Sequence, residues 1–330
     1  MKAVRGTPKH LSQNGELTGF TYLMLNLDYS CNYNCLKCFN QGESTPSYQK
    51  IELLSLKERI ELIKQAKTLG GKAVVIAGEG EPSIHRDIKA LVGGINSQGM
   101  IPIIYTNGAL VTKELAEFYK KNNATIIISL DSLNPEKYDL MTGTKGQLQI
   151  VLRNIEQIRE VYKNTAKKVK GLTILSLALN TTVSEINYKE LEKIKDFCGE
   201  DIYFICNPLA KLGSAQETWK VLMKDKTPED FAELISKMSE SGGPLMLGKN
   251  MMCNYQTNGI AVSPWGHYMI CAYTNLTNDL LGTIKDKTLG EAYKYKQKIE
   301  AEHTKKYGKA NCFIRADSFT KYISTLKELI

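Results

Sequence analysis

Cys31, Cys35 and Cys38 put three thiols into eight residues, at spacings of four and three. Thiolates are soft ligands that suit iron-sulfur clusters, and a cubane asks for one thiolate per iron. Three thiols from one loop leave one iron with an open position, able to hold something other than protein. Half a zinc site or three ordinary buried thiols are the alternatives. Zinc normally closes a tetrahedron of four protein ligands, and this loop supplies three.

Such a loop needs a rigid base. Residues 21–28, TYLMLNLD, read as an apolar strand running straight into the cysteines. After a polar linker over 41–50, Ser55 offers an N-cap to a helix carrying Leu56, Ile60, Leu62, Ile63 and Ala66, closed by Gly70-Gly71. Residues 72–77, KAVVIA, form a buried strand leading into Gly78-Glu79-Gly80-Glu81-Pro82. The alternation then repeats: helix near 86–97, strand 101–105, helix near 112–121, strand 125–130, helix near 146–162, strand 172–179, helix near 187–197 and strand 201–206. Six strands alternating with helices predict an α/β fold with parallel strands and helical crossovers, an open, partial (β/α)6 barrel. Polar residues collect where these strands end: Glu79 to Glu81, Thr106, Asn107, Ser129, Asp131, Asn180 and Asn207. In a barrel that rim is where chemistry is built, although each residue alone also suits a turn.

Beyond Cys206 the pattern changes. A polar, helix-rich connection reaches Gly242-Gly243-Pro244, followed by a hairpin over 259–263 and 267–271 around Pro264-Trp265-Gly266 and a helix near 289–301. The expected division is an N-terminal extension (1–20), the barrel core (21–209), a helical connection (210–244) and a smaller α+β unit (245–330).

Composition narrows the setting. Eight cysteines in 330 residues are too sparse for a disulfide scaffold and are spaced as in metal sites, which points to a reducing, cytoplasmic location. No apolar run approaches the ~20 residues of a membrane span, and residues 1–20 lack the apolar centre of a signal peptide. The net charge of +8 is spread along helices; it reads first as a solvated basic face, and second as attraction of an anionic substrate. Nucleic acid is not the expected partner.

The C-x3-C-x2-C loop directly after an apolar strand resembles the signature of the radical S-adenosylmethionine (SAM) superfamily. The resemblance extends from about residue 21 to Cys312 and implies a [4Fe-4S] cluster on Cys31, Cys35 and Cys38 whose open iron chelates SAM. Glu79-Gly80-Glu81-Pro82 looks like the family's Gly-Gly-Glu-Pro segment, whose backbone holds the methionyl amino group, with Glu79 where the first glycine is usual. Lys37 occupies the place before the third cysteine that often holds an aromatic, and Phe39 follows that cysteine. By position, Ser129 and Asp131 match the ribose-contacting region and Asn180 the carboxylate region; Thr106 and Asn107 complete the cofactor-facing set. Cys253, Gly266 and Cys271 resemble the opening of the SPASM or shorter twitch domain, which implies a second, auxiliary [4Fe-4S] cluster held by Cys253, Cys271 and Cys312. Its fourth position is open or filled by Cys198, Cys206, His267 or Asp317.

Function then follows the resemblance. The expected enzyme is a radical SAM oxidoreductase or epimerase that abstracts hydrogen from an unactivated carbon of a sugar, cyclitol or nucleoside. Flavodoxin or ferredoxin is the expected reductant. Cys206 is a candidate hydrogen donor, though a core thiol is the commoner role of such a residue; Glu81, His267 and Lys211 are candidate acids or bases. The alternative is modification of a peptide or protein side chain, and the remote one a non-catalytic, zinc-stabilised binding protein.

Overall fold

The computed structural model describes residues 1–39, 52–238, 254–270 and 281–308. Eleven strands occur among the described residues: β1 (Lys2–Val4), β2 (Tyr22–Leu25), β3 (Ala73–Ile76), β4 (Ile101–Thr106), β5 (Thr125–Ser129), β6 (Lys167–Val169), β7 (Leu172–Leu175), β8 (Leu177–Val183), β9 (Tyr203–Pro208), β10 (Gly259–Val262) and β11 (Tyr268–Met269). The main sheet runs β11-β10-β2-β3-β4-β5-β8-β9, and every pairing from β10 to β9 is parallel. The six central strands are those expected. They form a mixed α/β sheet open between β9 and β11, a partial barrel.

Local signals set the helices. Leu56–Thr68 opens on a reciprocal capping box in which Ser55 Oγ accepts from Glu58 N–H and the Glu58 carboxylate accepts from Ser55 N–H. Leu289–Tyr307 begins the same way with Thr288 and Glu291. Between β5 and β6 there are two helices, Pro135–Thr142 and Leu148–Tyr162, where a single one was expected. Asn134 caps the first of them, with Pro135 in the first turn.

Strand parity divides the interior into two layers. Leu23, Leu25, Val74, Ile126, Leu179 and Phe204 face the helices and pack with Leu62, Leu91 and Ile155. Tyr22, Met24, Val75, Ile103, Ala178 and Tyr203 face the concave inside of the sheet. Two departures from expectation shape that inner layer. The strand expected over 172–179 is split at Ser176 into β7 and β8, and β7 joins β1 and β6 in a separate three-stranded sheet. Val4 and Leu175 from this sheet join the inner layer, as does Ala261 of β10, which pairs in parallel with β2. No helix among the described residues is long and apolar enough to cross a membrane.

Candidate functional site

The inner layer changes character toward the carboxyl ends of the strands. Continuing its parity, Val75 is followed by Ala77, Ile103 by Tyr105, Ile127 by Ser129, Ala178 by Asn180 and Thr182, and Tyr203 by Ile205 and Asn207, all of them half-buried. The apolar interior thus opens into a polar rim. Ser129 lies opposite Asn180 in register, and Asn207 donates through Nδ2 to Asn180 Oδ1 at 2.7 Å.

Above this rim the cysteine loop is held by its backbone. Asn34 N–H and Leu36 N–H donate to the Thr142 and Met141 carbonyls at 3.1 and 3.0 Å, while Ala215 N–H reaches the Cys38 carbonyl at 3.2 Å. Thr218 Oγ1 donates to the Leu36 carbonyl at 2.7 Å. Gly143 makes the first of these approaches possible: its φ is +63°, and a Cβ there would run into the Asn34 carbonyl. Inside the loop, Tyr33 is buried, its hydroxyl 3.3 Å from that of Tyr138. Beneath it, buried Arg59 donates to the Leu27 carbonyl at 2.6 Å and lies 2.9 Å from His85.

The loop after β3 meets the cysteine loop through main chain as well. Glu81 N–H donates to the Ser30 carbonyl at 2.8 Å, and Gly80, at φ +73°, lies against the carbonyls of Asp28 and Ser30 where no Cβ fits. The left-handed positions here are Gly78 and Gly80; Glu79, standing where a glycine is usual, adopts an ordinary negative φ. The buried Glu81 carboxylate accepts from Ser83 N–H (2.9 Å), Thr106 Oγ1 (2.5 Å) and Asn107 N–H (2.7 Å). Asn107 in turn donates from Nδ2 to Asn32 Oδ1 in the cysteine loop at 2.8 Å. The loop after β3, the end of β4 and the cysteine loop are thereby joined in one network.

Lys37 crosses to the far side of the rim, where its Nζ lies 2.5 Å from Asp131 Oδ2 and 3.4 Å from Thr182 Oγ1. The Asp131 carboxylate also accepts from Thr182 N–H at 2.9 Å. Burial raises the Cys31 thiol, with Glu81 and Cys38 adding to the rise. Burial likewise pushes Cys35 up to about 12; Lys37 opposes the shift, while Cys38, Asp131 and Cys31 add to it.

That donor set suits a cluster. Among the described residues no three His, Cys, Asp or Glu side chains stand close enough to hold a single metal ion. A cubane has its irons at separate corners, so it takes wider-set thiols, and soft sulfur is its proper ligand.

The rim thus gathers Cys31, Cys35, Cys38, Gly80, Glu81, Thr106, Asn107, Ser129, Asp131 and Asn180, with Glu79 between the two glycines. Phe39 continues the loop beyond Cys38, half-buried. Other expected residues lie elsewhere. Cys206 pairs in register with Thr181 and belongs to the helix-facing core, its thiol pushed up to about 12 by burial. Cys198 sits in the same core. Exposed Lys211 lies over the Trp219 ring at 5.5 Å. His267 is on the β10-β11 hairpin beside Trp265, which stacks on Tyr29, ahead of the cysteines. Cys253, Cys271, Cys312 and Asp317 lie outside the described residues. Sequence reading missed Asn32, Tyr33, Tyr138 and Thr182; polar residues at alternate positions of β8 were the available signal for Thr182.

A family model described as the radical SAM superfamily matches residues 25–198. Among curated proteins, a GTP 3′,8-cyclase of Haemophilus influenzae is 31% identical over 163 residues, 49% of this chain and 47% of that protein. A probable GTP 3′,8-cyclase of Archaeoglobus fulgidus is 29% identical over 177 residues, 54% of each chain. A molybdenum cofactor biosynthesis protein of Caenorhabditis elegans is 33% identical over 187 residues, 56% of this chain and 29% of that one. The chain therefore spans about half the length, or less, of these relatives. Among solved structures, Streptococcus suis SuiB bound to its precursor peptide SuiA aligns with a TM-score of 0.59 at 17% identity, covering 84% of this chain and 65% of that one. The protein anSMEcpe with bound AdoMet gives 0.56 at 17% identity, covering 93% and 96%; at such identities these two speak for the fold alone.

The curated relatives correct the functional expectation. Their names describe ring closure on a nucleotide, and neither dehydrogenation or epimerisation of a sugar, cyclitol or nucleoside, nor peptide modification, nor a non-catalytic zinc protein.

Proposed function

Because the chain belongs to the radical SAM superfamily, whose members bind a [4Fe-4S] cluster and SAM, we propose that it closes a ring within an anionic purine nucleotide of the GTP kind. The observation that carries this is the 31% identity to GTP 3′,8-cyclase over 163 residues. The excess of basic residues, net +8, favours an anionic substrate.

When bound, the cluster and SAM supply a 5′-deoxyadenosyl radical. Cys31, Cys35 and Cys38 would hold the cluster, and the Gly80 backbone with Ser129, Asp131 and Asn180 would orient SAM. The Glu81 network keeps the loop after β3, the end of β4 and the cysteine loop in fixed relation, so the site is assembled before substrate arrives. The apolar inner layer closes it from below and excludes water there. Joining ribose C3′ to purine C8 replaces a C3′–H bond by a C–C bond. The hydrogen leaves on 5′-deoxyadenosine, while the opened C8=N7 bond takes up one electron and one proton.

In this reading residues 245–330 correspond to a twitch-like unit whose Cys253, Cys271 and Cys312 would hold an auxiliary cluster, and that cluster would supply the second electron. A flavodoxin or ferredoxin supplies the first, in the cytoplasm. The test is anaerobic incubation of reconstituted protein with SAM, reductant and GTP deuterated at C3′. Deuterium in 5′-deoxyadenosine and an isomer of GTP are expected. SAM cleavage indifferent to GTP would overturn the substrate, and no cleavage with any nucleotide the activity.

A further inference from the structure

The Lys37–Asp131 pair spans the rim from the cysteine loop to the end of β5 at 2.5 Å, with only 12% and 3% of the two side chains exposed. Lys37 stands between Cys35 and Cys38, so its ammonium is tied to the ligands by the chain itself. Asp131 is held from three sides: by Lys37, by Thr182 N–H on its carboxylate, and by Asn187 Nδ2 on its main-chain carbonyl at 2.8 Å. A buried pair with one partner fixed this firmly keeps the other partner's charge in one place.

We infer that Lys37 and Asp131 are positioning residues that set the reduction potential of a cluster on Cys31, Cys35 and Cys38, with opposite signs. Reduction adds a negative charge to a site already ringed by thiolates. A fixed ammonium favours the reduced state, and a carboxylate behind it opposes that. Lys37 follows Cys35 by two residues and precedes Cys38 by one, so its ammonium is the nearer charge, and Asp131 Oδ2 sits on the far side of that ammonium. Asp131 thereby acts through Lys37, whatever it also contributes to SAM. The inference rests on the cluster reading of the three cysteines and not on the identity of the substrate.

The test is a redox titration, followed by electron paramagnetic resonance, of reconstituted full-length protein carrying K37M, D131N, both, or K37R. A unit charge at partly screened distance changes a one-electron equilibrium about tenfold, which corresponds to about 59 mV. K37M should lower the potential by that amount and D131N should raise it. The double variant should return close to the parent, because the pair carries no net charge, and K37R should stay there. A pair that only staples the loop would lose iron in all four variants with no opposed shifts. Full iron loading with both single variants moving the same way, or neither moving, overturns the inference. A parent protein that takes up no iron overturns the cluster reading instead. If K37M does not load, the sign of the D131N shift decides alone.

Discussion

Replacing Glu81 separates a structural tie from a proton-transfer group. Its carboxylate is buried and accepts three hydrogen bonds, from Ser83 N–H, Thr106 Oγ1 and Asn107 N–H. Hydrogen bonds to a charged group contribute about 1.5–3 kcal/mol each and are not additive, and donors orphaned in a buried site add their own penalty. E81A therefore costs about 3–5 kcal/mol, comparable to breaking a buried ion pair. E81Q keeps one acceptor but turns an amide NH2 toward a backbone N–H, costing about 1–2 kcal/mol. On a thermal melt the first should fall by on the order of 10 °C and the second by a few degrees. Thr106→Val adds a check, because it should cost about 1–2 kcal/mol in the parent and close to nothing beside E81A, where the orphaned hydroxyl is removed with its partner gone. A general acid or base would give the reverse pattern, with turnover lost and stability kept. An E81Q protein that melts with the parent and binds SAM equally well would refute the reasoning.

Two glycines and one glutamate give further tests. Gly143→Ala places a Cβ at φ +63° against the Asn34 carbonyl, and Gly80→Ala does the same at φ +73° against Asp28; each strains the cysteine loop by about 1–3 kcal/mol, so reconstituted iron per chain should drop. Unchanged iron in both would show that the loop does not depend on these approaches. Burial raises the pKa of Glu190, but Lys137, Ser132 Oγ and Leu133 N–H outweigh it and hold the carboxyl below a glutamate's ordinary 4.5. A depressed folded pKa contributes stability above the unfolded value that is lost as pH falls through the folded one. E190Q should therefore melt below the parent at neutral pH, with the gap closing under about pH 4.5; a gap independent of pH would contradict the assignment.

The parts of the site legible in sequence are those where chemistry constrains spacing. Cys31, Cys35 and Cys38 announced a cluster because soft ligands in one loop have few other uses, and strand ends announced the rim because buried apolar runs gave way to Asn, Asp, Ser and Thr. Pairings between distant segments were not legible. Lys2–Val4 is three residues whose partner, β7, lies some 170 positions on, and β10 joins β2 across a still longer interval, Tyr22 opposite Gly259. The helix Pro135–Thr142 was signalled by Asn134-Pro135 and passed over. The side to which Cys206 turns follows from parity: its neighbour Ile205 packs against the inner layer, which sends Cys206 to the helix-facing core, the commoner role of such a thiol. The transformation was illegible for a different reason, since one radical source serves many outcomes and the relatives' names, not the motif, point to ring closure.

The proposed chemistry stands on three thiols, Cys31, Cys35 and Cys38, holding a cubane with an iron open to SAM. Electron paramagnetic resonance of the reduced, reconstituted protein tests it most directly, recorded with and without SAM. A [4Fe-4S] signal that shifts when SAM is added and is missing in C35S is the expected result. A signal indifferent to SAM, or one that persists in full without Cys35, would contradict it.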